Sequence, residues 1–392
     1  MSDPFRPTTT HTINPLDPRH PLLFIHDDDQ TSHIKALTIF TEGPSGKICS
    51  EVIKFLDHLH SLEKFVIHWR ALDWVMLGEP EIRALVRLFS LPSLHELQIL
   101  ASANFPLCLL QYYAGKQLSI AATTLATAVT PVFPSDTEAR RLGALTELAL
   151  LSASNIREFR TFIEWQAGKA HTSLRSVKCL RCSVSWGDEG AKPEESLKDI
   201  GSLLQRIGPI CRDLEEFRLL DWQNSTFTPV HSSTRLMSAP QIDSFDGYQF
   251  TQADLASLTS LKRLYVQLGA SPKADEKTMN SMDASLRHWL LPLLSNILSP
   301  QLLERIDITF SFVVPFPWPT DLHNWMRSFA AELDVGLTHK FPTLRTANLT
   351  FDLRNAHTMP YDWQAFNDGI QPTNLQARGV ACAFRAAVYR PY

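Results

Sequence analysis

The segment Leu91-Pro92-Ser93-Leu94-His95-Glu96-Leu97-Gln98-Ile99 decides how this chain is read. Its last apolar residues fall at Leu94, Leu97 and Ile99, separated by two variable residues and then by one. The same spacing returns at Ile34-Leu37-Ile39, Leu62-Phe65-Ile67, Leu145-Leu148-Leu150, Leu174-Val177-Cys179 and Leu214-Phe217-Leu219. It continues at Leu261-Leu264-Val266, Leu303-Ile306-Ile308 and Leu344-Ala347-Leu349, with weaker copies at Leu118-Ile120 and Ile242-Phe245. Self-similarity of this kind describes a stack of units, each too small to bury its apolar face alone.

The spacing also sets a geometry. In Leu214-x-x-Phe217-x-Leu219 the short alternation is that of a strand, so Phe217 and Leu219 point one way and residues 216, 218 and 220 the other. Between the strand cores lie apolar residues spaced by three and four, which predict helices over 47–60, 81–89, 156–165, 194–207, 286–298 and 322–337. Pro80 suits the first turn of the second helix, and Thr320 or Asp321 is a candidate N-cap for the last. Polar stretches at 183–195 and 271–283 read as surface insertions.

Successive cores begin 19 to 42 residues apart, against the roughly 20–29 of a regular leucine-rich repeat. The expected fold is α/β: an irregular leucine-rich-repeat solenoid of about ten or eleven units, curved, with a parallel sheet inside and helices outside. The expected organisation is an irregular lead-in over 1–32, the solenoid over 33–372 and a capping strand segment over 373–392. In that last segment Val380, Cys382, Phe384, Ala386 and Val388 alternate with their neighbours.

Composition narrows the function. A net charge of -4 and a pI near 6.4 lack the basic footprint of a nucleic-acid binder. No apolar run reaches the roughly 20 residues of a membrane helix, and the first residues lack the pattern of a secretory signal. Six cysteines in 392 residues are too sparse for a disulfide scaffold, so reduced thiols in the cytoplasm or nucleus are expected.

The motifs that resemble chemistry fall short of it. Cys179-Leu180-Arg181-Cys182 is a CxxC without a second ligand pair, and Cys179 reads as an inward packing residue with Cys182 facing oppositely. Gly43-Pro44-Ser45-Gly46-Lys47 lacks the spacing of a phosphate loop. Asp27-Asp28-Asp29 with His20, His26 and His33 reads as a solvated charge run. No catalytic residue, metal ligand or cofactor is assigned.

What remains is the face built from the variable positions. It reads Lys64, Val66 and His68, then Glu96 and Gln98, then Glu147 and Ala149. It continues with Ser176, Lys178 and Leu180, Glu216, Arg218 and Leu220, and Arg263, Tyr265 and Gln267. Arg305, Asp307 and Thr309, then Thr346, Asn348 and Thr350, complete it. Lys178, Arg218, Arg263, Tyr265 and Arg305 form the candidate protein-binding set, because Arg and Tyr are favoured at energetic hot spots. An acidic or mixed-charge protein segment is the expected partner, and Glu216 and Asp307 are the neighbours able to neutralise the arginines from within.

The segments His33-Ile34-Lys35-Ala36-Leu37-Thr38-Ile39, Leu91 to Leu97 and Leu258-Thr259-Ser260-Leu261-Lys262-Arg263-Leu264 resemble the leucine-rich-repeat portion of fungal F-box/LRR-like proteins. The resemblance spans nearly all of residues 33–372. It implies a substrate-reading array, joined in that family to an F-box that docks a Skp-type adaptor of a cullin ubiquitin ligase. No F-box pattern is evident in residues 1–32. The expected function is therefore a non-enzymatic interaction module. The alternative is the substrate-recognition subunit of an SCF-type ligase with a degenerate or missing F-box.

Overall fold

The computed structural model describes residues 10–20, 23, 31–41, 48–70, 72–126, 145–151, 174–184, 210–221, 258–270, 290, 294, 297, 299–313, 322–354 and 362–389. It divides into two compact units, Met1–Val177 and Lys178–Tyr392, and the division falls inside the span expected as one array. Each unit is α/β.

In the N-terminal unit the strands are β1 (Thr10–Ile13), β2 (Ala36–Thr41), β3 (Lys64–Trp69), β4 (Glu96–Leu100), β5 (Phe105–Pro106), β6 (Gln117–Ala121), β7 (Leu125–Ala126) and β8 (Glu147–Leu151). β1, β2, β3, β4, β6 and β8 lie side by side in chain order, every pair parallel, while β5 and β7 pair separately. Parallel neighbours require a crossover between strands. Two of these crossovers hold α1 (Ser50–Asp57) and α2 (Glu79–Phe89). α2 takes Pro80 in its first turn, with Glu79 and Glu81 there and Arg87 in its last turn, the order that suits the helix dipole.

The C-terminal unit repeats the plan. β9 (Cys179–Val184), β10 (Glu216–Asp221), β11 (Arg263–Ala270), β12 (Arg305–Val313), β13 (Thr346–Arg354) and β14 (Ala381–Tyr389) follow chain order, again all parallel. α3 (Leu322–Lys340) crosses between β12 and β13, and α4 (Trp363–Gly369) and α5 (Thr373–Ala377) lie between β13 and β14.

The apolar residues of all the full repeat copies are buried, as are Leu118 and Ile120, while Ile242 and Phe245 lie outside the described residues. The helices complete this core: Phe65 meets Phe89 of α2 at 6.3 Å. Phe310 of β12 stacks on Phe351 of β13 at 5.9 Å and meets Phe329 of α3 edge-on at 5.2 Å. The helices expected over 156–165 and 194–207, the N-cap at Thr320 or Asp321 and the 271–283 insertion lie outside the described residues.

Two expectations are corrected. The lead-in over 1–32 is not wholly irregular, because β1 pairs with β2 from Thr10↔Ala36 to Ile13↔Ile39 and buries Ile13. A strand held by its backbone and one apolar residue carries too little pattern to be seen in sequence. The second concerns register. Glu216 pairs with Cys179, Phe217 with Leu180 and Leu219 with Cys182. The inward residues of β9 are therefore Leu180 and Cys182, three positions beyond Val177 and Cys179. Both thiols are buried, yet they sit on opposite sides of the strand: Cys179 Sγ lies 3.5 Å from Glu216 Oε1 on the variable face.

Successive repeats are also clasped by side chains. Ser93 donates to the Leu62 carbonyl at 2.8 Å, Ser176 to Leu145 at 2.9 Å, Ser260 to Arg212 at 2.9 Å and Thr343 to Gln301 at 2.8 Å. Arg87 caps the end of α1 through the Leu56 and Leu59 carbonyls, and Arg378 caps the end of α3 through Thr338, Phe341 and Pro342. In the N-terminal unit a buried chain of polar groups runs from Trp74 Nε1 to Ser102 Oγ at 3.1 Å and on to Thr123 Oγ1 at 3.5 Å. Thr123 in turn donates to the Ala121 carbonyl at 2.9 Å. Ala101 and Ala122, at φ 56° and 47°, turn the chain just after β4 and β6.

The outer side of β14 is closed as well. Asn367 accepts from the Ala386 N–H at 2.6 Å and donates to its carbonyl at 3.4 Å, and Gln371 donates to the Phe384 carbonyl at 3.0 Å. Side-chain amides thus take the place a further strand would occupy, one way of blunting a sheet edge.

Candidate protein-binding face

In the C-terminal unit three rows of variable residues cross the strands. The first lies one residue ahead of each of β9 to β13 and reads Lys178, Glu215, Lys262, Glu304 and Arg345, each N–H donating to the carbonyl of the residue before it. The sign of charge alternates along this row. Glu215 takes Lys178 Nζ at 3.6 Å and Lys262 Nζ at 3.3 Å, and the Lys262 hydrogen bond holds the Glu215 carboxyl below its ordinary pKa.

The second row is Cys179, Glu216, Arg263, Arg305 and Thr346, and the third is Arg181, Arg218, Tyr265, Asp307 and Asn348. These two rows interlock. Glu216, only 4% exposed, lies between two arginines, with one carboxylate oxygen on Arg218 Nε and the other 3.1 Å from Arg263 Nε. Asp307 accepts from Arg305 through Nε at 2.6 Å and Nη2 at 3.2 Å, and from Asn348 at 2.7 Å. The Tyr265 ring sits between the guanidiniums of the flanking strands, Arg218 at 4.6 Å and Arg305 at 5.4 Å. Such cation–π contacts contribute roughly 0.5–1 kcal/mol each where exposed.

Electrostatics follow from this packing. Burial works against the charge on Arg218, but its bond to Glu216 holds the guanidinium above its ordinary pKa. The Asp307 hydrogen bond raises Arg305, and burial raises the Tyr265 phenol.

The structure brings four of the five expected residues together: Arg218, Arg263, Tyr265 and Arg305. Lys178 is the correction. It sits in the alternating row beside Glu215, off the strand, and the position beside Arg218 belongs to Arg181. Ser176 and Leu180 leave the face for the same reason: Ser176 clasps Leu145 and Leu180 is core. The arginines are paired from within by Glu216 and Asp307, but their side chains stay accessible at 34% for Arg218, 47% for Arg263 and 44% for Arg305.

The CxxC thiols are both buried. Burial pushes both Cys182 and its neighbour Cys211 up to about 12. Unfolded thiols ionise near pH 8.5, so this contribution to stability is complete below that value. It is lost as pH rises towards the folded value, because only the folded chain must keep its protons there. A maleimide at about pH 8 should therefore label Cys182 and Cys211 only in denaturant, and the urea midpoint should fall between about pH 9 and 11. Rapid labelling of the folded chain at these two sites would refute the packing assignment.

Among the described residues no group of three or more His, Cys, Asp or Glu is placed to hold a metal, and no helix is long and apolar enough to cross a membrane. Compared with known protein families and with curated proteins, the chain matches none.

Proposed function

We propose that this chain is a non-enzymatic protein-interaction module of leucine-rich-repeat type, which binds a protein partner on the strand face of its C-terminal unit. The observation that carries this reading is the partition of the strands. One side of each is committed to core, while the other presents a Tyr265 ring held between Arg218 and Arg305 with Arg263 alongside. Ordered aromatic and guanidinium groups lose little freedom on binding and are enriched at hot spots. In the leucine-rich-repeat reading this face is the concave one, the surface that solenoids commonly use for recognition.

The test begins with a partner captured by the intact chain, identified by mass spectrometry and purified. Charge reversal at Arg218 is unsuitable, because a second carboxylate would abut the buried Glu216. Tyr265→Ala combined with Arg263→Gln is the better variant, and should weaken the partner about 30-fold or more by calorimetry, the scale of one hot spot. Arg83→Glu, on the exposed side of α2, should leave binding unchanged. The reverse pattern would move the interface off the strands. Copurification of a Skp-type adaptor would favour the second reading, in which the same face reads substrates for a cullin ligase.

A further inference from the structure

Resting on that reading, we infer that the partner presents an extended acidic segment with carboxylates at alternate positions, laid across β11 and β12 and gripped by Arg263 and Arg305. The argument starts from donors already in use. Arg218 spends Nε on Glu216, and Arg305 spends Nε and Nη2 on Asp307. Arg263 contributes Nε to Glu216, leaving its guanidinium end facing outward on a side chain 47% exposed. The Tyr265 ring lies on the same strand as Arg263, between the guanidiniums of Arg218 and Arg305 on the flanking strands.

Charge complementarity selects the class of ligand. Arg218, Arg263 and Arg305 face two carboxylates, Glu216 and Asp307, so these rows keep a positive excess within a chain of net charge -4. Geometry then favours carboxylates over phosphate. A compact dianion calls for several donors converging on one point, and it would sit against Glu216 and Asp307. Separate single carboxylates need only the free guanidinium ends. Arg263 and Arg305 occupy the same register on adjacent strands, about 5 Å apart at the backbone. Alternate side chains of an extended peptide lie about 7 Å apart on one side, within the splay of two arginines. The Tyr265 ring, lying between Arg218 and Arg305, holds the Arg305 guanidinium apart from Arg218.

The experiment titrates labelled peptides into the full chain and reads fluorescence anisotropy. The peptides are (Glu-Ser)6, (Gln-Ser)6, a block peptide with six Glu followed by six Ser, a phosphoserine analogue of the first, and single-stranded DNA of matched charge. The expected result is saturable binding of (Glu-Ser)6, at least fivefold weaker binding of the block peptide and none of (Gln-Ser)6. Arg263→Ala and Arg305→Lys should each weaken (Glu-Ser)6 about tenfold while far-UV circular dichroism is retained. Raising salt to 0.5 M should weaken it further, since the groups are partly exposed. Equal binding of the block peptide or of (Gln-Ser)6, tighter binding of the phosphoserine peptide or DNA, or indifference to both arginine variants would each overturn the inference. The captured partner separates this failure from that of the parent reading. A partner lost on Tyr265→Ala but not displaced by (Glu-Ser)6 keeps the face and rejects the acidic segment; a partner indifferent to both rejects the two together.

Discussion

Phe217→Ala should destabilise the protein by about 3–5 kcal/mol, the cost of emptying an aromatic-sized site in a packed core. Phe217 is 1% exposed and pairs in register with Leu180 on one side and Leu264 on the other. No backbone or charge change accompanies the substitution, so the loss reports cavity formation alone. Units in a stack are stabilised largely by their neighbours, and weakening one interface loosens the strands on both sides. Urea denaturation, followed by fluorescence and by circular dichroism, measures the effect. A midpoint equal to that of the parent would mean that the site collapses without penalty, which a side chain wedged between two strands should not permit.

Removal of residues 377–392 should have a larger consequence still. It takes away β14 and with it every backbone partner on one side of the nine-residue β13. It also removes Arg378, which caps α3. A long bare edge invites pairing with other molecules. The truncated chain is expected to form oligomers at micromolar concentration in size-exclusion chromatography with light scattering. Asn367→Leu with Gln371→Leu offers a milder version, retaining β14 but stripping its amide cover. It should self-associate while keeping its secondary structure. A truncated chain that stayed monomeric and equally stable would show that β14 is dispensable as a closure.

The repeat spacing makes most of the core legible, because an inward position tolerates little besides Leu, Ile, Val or Phe. Register was harder at one place, and the reason is local. Thr172-Ser173-Leu174-Arg175-Ser176-Val177 offers two hydroxyl-then-apolar pairs three residues apart, and apolar residues continue at Leu180 and Cys182. Both alignments satisfy the pattern. The turn decides between them: Val177 N–H bonds to the Leu174 carbonyl, as Leu94 bonds to Leu91 and Leu214 to Cys211. Val177 therefore takes the lead position, and Lys178 passes from the face into the alternating row. Glu216 and Asp307 could be named as neighbours, but the buried bridge between Arg218 and Arg263 depends on which strand edge each carboxylate reaches. Helices as short as α4 and α5, with Phe366 and Leu375 as their buried members, give no period to detect.

Six of the side-chain clasps between repeats point one way. Ser93, Ser176, Ser260, Thr343, Arg87 and Arg378 are donors, and the carbonyls they reach lie earlier in the chain. The backbone ladder ahead of the strands runs in the same sense, from Glu63 to Lys35, His95 to Glu63 and Lys262 to Glu215. A ribosome releases the acceptors first and the donors that complete them some 30 to 50 residues afterwards. Each newly emerged turn therefore finishes its predecessor and leaves its own oxygens waiting. For these bonds, synthesis delivers each clasp onto carbonyls that have already left the ribosome.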